Sequence, residues 1–137
     1  MPSRRSRYQW VYSPTKISSS NVPEDLKQEA LAKGQKLIEA ILRPRYVLPP
    51  PANPQFNYIV EVYCRWRGHY FYFCSKYYCP GPTRISETFE SKDVRLEYKG
   101  HRKFGLAYFR RGTHWWELFP EVSLDECLKE IESGCFF

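Results

Sequence analysis

The sequence has no long apolar run, so it offers no helix that could span a membrane. No apolar segment follows its basic start, as a secretory signal would require. Its seven glycines are spread among turns and helix ends and form no Gly-rich phosphate loop. These absences argue against a membrane partner, export and a nucleotide-phosphate site, and we expect a cytoplasmic protein.

Motifs for metal binding and catalysis are also missing. The five cysteines, at positions 64, 74, 79, 127 and 135, are odd in number and contain no Cys-x-x-Cys pair. Their pattern favours free, buried thiols in a reducing compartment. No nucleophile elbow is present, and the three histidines adjoin Gly-containing turns, where polar residues are common. We therefore predict no catalytic residue, no cofactor and no metal ligand, and we expect a binding protein rather than an enzyme.

What the sequence has in excess is aromatic residues and positive charge. Tyr, Phe and Trp make up 18% of the chain, which favours strands, and the net charge is +6. The first twenty residues contain four cations and no acid. The 137 residues suit one domain, so we predict a basic, flexible arm over 1–20 and a single α+β domain over 21–137.

The first helix is predicted from Asn21, which with Pro23 and Glu24 forms an N-terminal capping pattern. We expect it to end at Pro44, because proline breaks helices. Apolar residues at helical spacing give it one buried stripe: Leu26, Ala30, Leu31, Leu37, Ile38, Ile41 and Leu42. Five prolines over 44–54 predict a stiff strap from this helix to the sheet, although a proline-rich ligand for a partner domain is an alternative.

From Phe56 onward, apolar and polar residues alternate, which is typical of strands. Turn signals at Arg67-Gly68, Lys99-Gly100 and Arg111-Gly112, together with the loop Cys79-Pro80-Gly81-Pro82, separate strands starting at 56, 69, 88, 103 and 114. Ser123 and Glu126 then form a capping box for a last helix with Gly134 as its C-cap. Consecutive hairpins predict a five-strand antiparallel β-meander with an N-terminal and a C-terminal helix, an α+β fold.

A two-residue turn at Arg67-Gly68 would place Cys64 opposite Phe71 and Val62 opposite Phe73. One face of this hairpin is then core: Val60, Val62, Cys64, Phe71 and Phe73. The other face interleaves tyrosine with cations: Ile59, Glu61, Tyr63, Arg65, Tyr70, Tyr72 and Lys76. If no helix covers it, this second face suits nucleic acid; a covering helix would make its tyrosines structural.

A meander also brings alternate turns to the same end of the sheet. We therefore expect a basic rim made of Arg65, Arg67, His69, Lys99, His101, Arg102 and Lys103. Aromatic platforms with cationic grooves hold single-stranded nucleic acid. The predicted nucleic-acid-binding residues are Arg4, Arg5, Arg7, Tyr63, Arg65, Arg67, Tyr70, Tyr72, Lys76, Lys99, Arg102 and Lys103.

The alternative is a protein-interaction module. Trp115 and Trp116 are adjacent in a strand and should point to opposite faces, so one of them lies outside the core. Phe136 and Phe137 must either pack or be exposed, and exposed Trp or Phe marks a partner site. Gly105 and Ala107 leave a side-chain-poor strip where a helix or ligand could approach closely.

Three segments, over 56–60, 70–74 and 123–127, resemble small bacterial proteins of unknown function. The resemblance covers most of residues 8–137, and it implies a stand-alone protein without implying an activity. The order of meander and helix is also similar to that of Whirly-type and PUR-type single-strand binders, which is an analogy of fold.

Overall fold

The computed structural model describes residues 22–82, 86–110 and 114–137. The predicted arm over 1–20, with Arg4, Arg5 and Arg7, lies outside them, and so do Asn21 and the predicted turn at Arg111-Gly112. The helical elements are α1 (Glu24–Leu37), a π-helical segment (Ile38–Leu42), α2 (Arg43–Tyr46) and, at the end of the chain, α3 (Leu124–Ser133). Between α2 and α3 lie β1 (Tyr58–Arg67), β2 (Tyr70–Tyr78), β3 (Thr88–Gly100), β4 (Lys103–Arg110) and β5 (His114–Ser123).

The five strands form one antiparallel sheet in the order β1-β2-β3-β4-β5. This confirms the predicted α+β fold, a meander with a helix before it and a helix after it. Since every strand pairs with its neighbour in sequence, β1 and β5 are the two edges of the sheet. None of the described helices combines the length and apolar character that crossing a bilayer requires.

The first helix ends later than predicted. Helical structure continues past Pro44 to Tyr46, after the π-helical turn over Ile38–Leu42. Proline has no N–H to donate and its ring crowds the carbonyl one turn earlier. Because the wider turn comes directly before Pro44, the chain passes the proline without breaking. At the other end, Pro23 is the N-cap residue and the helix begins at Glu24.

The predicted register of the first hairpin was wrong by two residues. Arg67 pairs with Tyr70 and Cys64 with Phe73, so the turn residues are Gly68 and His69. Gly68 has φ of 63°, which costs glycine little and would strain Arg67 at the same turn position. A shift of two residues keeps every side chain on its face, so the tyrosines and arginines still share one side.

A bulge near the start of β1 corrects another expectation. The β1–β2 register shifts between Ile59 and Glu61. As a result Ile59 packs against the core, whereas Val60 is 36% exposed. One extra residue in a strand reverses the face of the sheet to which the residues before it point. The alternation of apolar residues in the sequence did not reveal this bulge.

The core lies between one face of the sheet and the helices. Its largest fully buried residues come from both layers: Phe71, Phe73, Phe104, Leu26, Ile38, Leu42, Leu96, Leu106 and Ile131. The backbone of α1 lies close to the sheet at Gly34, where an added methyl group would stand 3.0 Å from Cys64 Sγ. Trp66 donates its indole N–H to the Lys27 carbonyl at 3.1 Å and so ties β1 to α1.

The last helix forms as predicted. Ser123 Oγ accepts from the Glu126 N–H, and the Glu126 carboxylate accepts from the Ser123 N–H. Gly134 is the C-cap residue. Cys127 and Ile131 are buried on the stripe that faces the core.

Candidate nucleic-acid interface

The side of the sheet opposite the helices has no covering element among the described residues. The helices contribute to the core on one side only. On the other side, strand alternation places a set of residues that we call the open face: Glu61, Tyr63, Arg65, Arg67, Tyr70, Tyr72, Cys74, Lys76, Glu90, Lys92, Arg95, Glu97, Lys99, Gly105, Ala107, Phe109, Trp115 and Glu117. It contains six cations and four carboxylates.

An arginine between two rings lies at its centre. The guanidinium carbon of Arg95 is 4.5 Å from the ring centroid of Trp115 and 4.9 Å from that of Tyr70. Arg95 pairs with Ala107 of β4. Because alanine is small, the Arg95 side chain and the Trp115 ring meet across β4, which gives the predicted side-chain-poor strip a role.

The two tyrosines of β2 differ in exposure. Tyr72 is only 8% exposed, with Trp115 at a ring distance of 6.0 Å and the Lys92 ammonium 5.6 Å from its own centroid. Its ring therefore packs within the open face and has little exposed surface that a ligand could contact. Tyr70 is partly exposed, and burial raises the pKa of its hydroxyl. Of the predicted stacking rings on β2, only Tyr70 is available.

Tyr63 is held by a carboxylate. Its hydroxyl donates to Glu90 across the sheet, and burial first and this hydrogen bond second raise its pKa. Lys76 pairs with Glu90 in the β2–β3 ladder. This corner of the open face is therefore close to neutral, and its attraction for an anion is weaker than at the centre.

The predicted basic rim divides into two parts. Arg65 and Arg67 are exposed and take part in no ion pair among the described residues. Glu97 partly neutralises its surroundings, since it lies 3.2 Å from the Lys99 ammonium and 3.4 Å from His69 Nε2. The uncompensated positive charge of this end is therefore on β1.

Arg102 and Lys103 lie elsewhere than expected. Arg102 reaches the helix side, where it contacts Glu29 at 2.6 Å and Asp25 at 3.3 Å. His101 and Arg102 both have positive φ, 53° and 59°, so the tight β3–β4 turn directs the Arg102 side chain towards α1. Lys103 pairs with Ser123 at the end of β5 and lines a cavity together with Glu29 of α1 and Asp125 of α3. The structure does not bring Arg102 to the open face.

The sheet forks beside this face, a feature that the sequence analysis missed. The β3–β4 ladder ends at Val94 and Tyr108. Beyond that point β3 continues back to Thr88 along β2, while β4 continues to Arg110 along β5. An extra residue, Asp93, enters β3 where the ladder ends. Bulges of this kind bend a strand and end its pairing.

Asp93 is held in place by two hydroxyl groups. Its carboxylate accepts hydrogen bonds from Ser75 at 2.5 Å and from Ser91 at 3.1 Å. Asp93 is 8% exposed and Ser75 is fully buried. Burial raises the pKa of Asp93 to about 6, and the two hydroxyls oppose that shift. A buried aspartate among serines therefore fixes the bulge that opens the fork.

Between the two arms of the fork is a cleft of about 370 Å³. Its lining residues are Glu90, Ser91, Lys92, Phe109 and Trp115. The rings of Phe109 and Trp115 lie 5.2 Å apart at an angle of 59°. The cleft thus joins an aromatic wall from β4 and β5 to the edge of β3.

The residues predicted to bind a protein partner differ in how exposed they are and in what they contact. Trp115 and Trp116 point to opposite faces, as expected: Trp115 contacts Arg95, and Trp116 is 42% exposed with His114 at a ring distance of 4.8 Å. Phe136 and Phe137 are half-buried, packed on Tyr108 at 5.5 Å and Tyr46 at 5.2 Å respectively. The two terminal phenylalanines are therefore packed against other parts of the protein.

Among the described residues, no group of three or more His, Cys, Asp or Glu side chains is arranged to hold a metal. Cys64 pairs with Phe73 and Cys74 with Tyr63, which puts the two thiols on opposite faces of the sheet, as expected.

Comparison with known proteins adds the family. No curated protein matches the chain, and no solved structure does. One family model, described as a domain of unknown function (DUF3024), matches residues 22–137. This range includes both helices and all five strands of the structure. The chain therefore belongs to the DUF3024 family.

Proposed function

We propose that this protein is a non-enzymatic, intracellular binding protein for single-stranded DNA or RNA, and that the strand lies on the open face. The observation that carries the proposal is the alternation of rings and cations there: Tyr70, Arg95 and Trp115 in contact, with Arg65 and Arg67 beside them. Bases stack on aromatic rings and on guanidinium planes, while cations follow the phosphates.

Charge complementarity favours a polyanion as the occupant. The chain has a net charge of +6, and the open face has six cations against four carboxylates. Arg65 and Arg67 lack acidic partners among the described residues, so they are available to phosphates. β1 is an edge strand, so among the described residues its outer side pairs with no other strand. The free, mostly buried thiols suit a reducing compartment.

The experiment is a titration of fluorescently labelled single strands of DNA and RNA, followed by anisotropy over a series of salt concentrations. Affinity should fall as salt rises, because phosphate contacts release counterions. Replacing Arg65 and Arg67 together by Gln should reduce the salt slope by about 1.4, at roughly 0.7 per phosphate contact on a single strand.

The matched control replaces Lys36 and Lys129, two exposed cations on the helices, by Gln. It removes the same charge from the side away from the open face, so its slope should change by much less. Equal effects of the two pairs would show that binding follows net charge and not this face. Absence of binding at low salt would refute the proposal as a whole.

A second candidate is a protein partner at the β5 edge, favoured by one observation. Trp116 and Leu118 are 42% and 36% exposed on an edge strand, where unpaired backbone groups are available. A copurification from cells, comparing the intact protein with Trp116→Ala, tests it. A partner that is retained equally by the variant would remove Trp116 from this role.

A further inference from the structure

We propose that the cleft at the fork of the sheet holds one unstacked base of the bound single strand. This inference rests on the proposed function and deepens it, because it separates a base pocket from the open platform of Tyr70 and Arg95. The base would lie against Phe109 and Trp115, with its polar edge towards Ser91 and Lys92 on β3.

The size and walls of the cleft suit a flat aromatic ligand. Its volume is about 370 Å³, and two of its lining residues are the contacting rings of Phe109 and Trp115. A ring pair at 59° presents a corner instead of a stack, so one ring can face a base while the other meets its edge. The other three lining residues, Glu90, Ser91 and Lys92, are polar. Sites that hold small ligands combine aromatic walls with polar groups that fix the orientation of the ligand.

The third wall is a strand edge. From Thr88 to Lys92, β3 pairs with β2 on one side and with no described residue of β4 on the other. In a strand, backbone N–H and C=O groups alternate between the two sides, so some face the cleft. These donors and acceptors match the edge of a base, which carries both kinds of group.

Charge favours a nucleotide over a neutral ring. The Lys92 side chain is exposed at the cleft, with its ammonium group on the Tyr72 ring at 5.6 Å. Arg95 adjoins the same Trp115 ring at 4.5 Å. Two cations at the rim of an aromatic cleft are placed to meet the phosphates on either side of an inserted base. Glu90 is engaged by the Tyr63 hydroxyl, which reduces its repulsion of those phosphates.

The bulge at Asp93 explains why the cleft is preformed. The hydrogen bonds from Ser75 and Ser91 hold the extra residue inside the sheet, and the arms separate from that point. No rearrangement of the strands is needed to admit a base, so the ordering cost that binding usually pays is small.

The test is photocross-linking of the wild-type protein to short oligonucleotides that carry a single 5-iodouracil, with mass spectrometry of the linked peptide. We expect a cross-link to Phe109 or Trp115 in at least one position of the modified base. The measurement needs no variant and therefore does not depend on whether a substituted protein folds.

Affinity gives a second measurement. Phe109→Ala should weaken binding on the order of ten-fold, because stacking on one ring typically contributes that much. Phe89→Ala is the matched control, since Phe89 is 41% exposed and stacks on Tyr77 away from the cleft lining. The affinity of the Phe89→Ala variant for the oligonucleotide should stay within two-fold of the wild-type affinity.

The outcomes separate the two proposals. In one outcome the oligonucleotide binds with the expected salt dependence, but it cross-links only around Tyr70 and Phe109→Ala binds normally. The cleft then belongs to another occupant, such as an extended peptide. This inference is overturned, while the proposed function stands. If no oligonucleotide binds, the proposed function fails and this inference fails with it.

Discussion

The guanidinium carbon of Arg95 lies 4.5 Å from the ring centroid of Trp115, although the two residues are on strands separated by β4. The same guanidinium is 4.9 Å from Tyr70. A cation between two rings holds both at fixed positions on an otherwise open sheet. The open face is therefore organised before any ligand arrives.

A double-mutant cycle measures this contact. We expect Arg95→Ala and Trp115→Ala to be non-additive in the free energy of unfolding, with a coupling of about 0.5–2 kcal/mol. Urea denaturation of the two single variants and the double variant gives the value. Arg65→Ala combined with Trp115→Ala is the control, because Arg65 is on the far edge strand and should show no coupling. Additive effects of Arg95 and Trp115 would contradict the structure.

Gly34 should not tolerate a larger side chain. A methyl group there would lie 3.0 Å from Cys64 Sγ and 3.2 Å from Phe71 Cζ, and Phe71 is fully buried. Gly34→Leu should destabilise the fold by about 1–3 kcal/mol or more, as overpacking does, despite the higher helix propensity of leucine. The neighbouring change Gln35→Leu, at an exposed position, should shift stability by less than about 0.5 kcal/mol. Thermal melts that rank the two variants the other way would rule out this packing.

Asp93 should make stability depend on pH. Burial raises its pKa to about 6 in the folded protein from an ordinary value of 3.8. A raised pKa means that the folded state binds the proton more tightly, so this contribution is fully present below about pH 4 and is lost as the pH rises through 6. Relative to Asp93→Asn, which does not titrate, the wild type should lose up to about 3 kcal/mol between pH 4 and pH 7.

Urea denaturation of the wild type and Asp93→Asn at several pH values provides the comparison. The other ionisable groups are common to both proteins, so their contributions cancel in the difference. Parallel profiles across this range would show that Asp93 titrates normally and would argue against its burial at the fork.

The five thiols should react at very different rates. Burial raises the pKa of Cys64 and Cys127 to about 12 and that of Cys74 to about 11. Cys135 is exposed and Cys79 is partly exposed. At neutral pH, iodoacetamide should label Cys135 and then Cys79, while the three buried thiols react more than about ten-fold more slowly. Mass spectrometry of samples taken over time gives the order in which the cysteines are labelled. Denatured protein provides the reference in which all five react.

Local signals in the sequence were sufficient for the elements. The capping box at Ser123 and Glu126, the proline and glycine punctuation, and the alternation of apolar residues located α3 and all five strands, because these patterns act within a few residues. Alternation also placed Trp115 and Trp116 on opposite faces. It could have identified Arg95 as well, since Val94 and Leu96 on either side of it point into the core.

Tertiary structure decided the rest of the site. Whether a helix covers the Tyr/Arg side depends on the packing of α1 and α3, which the pattern of one strand cannot report. Arg102 turned to Glu29 because two residues of positive φ reorient the β3–β4 turn, and Tyr72 became buried because Trp115 and Lys92 reach it from other strands.

The fork of the sheet shows most clearly what the sequence determined and what depended on the tertiary structure. The apolar and polar residues of β3 and the turn signal after it predicted a strand starting at residue 88. Its departure from β4 depends on a single extra residue, Asp93, and on the hydrogen bond that Ser75 of β2 donates to the Asp93 carboxylate. Since a bulge changes pairing without changing composition, only the assembled sheet shows where the cleft opens.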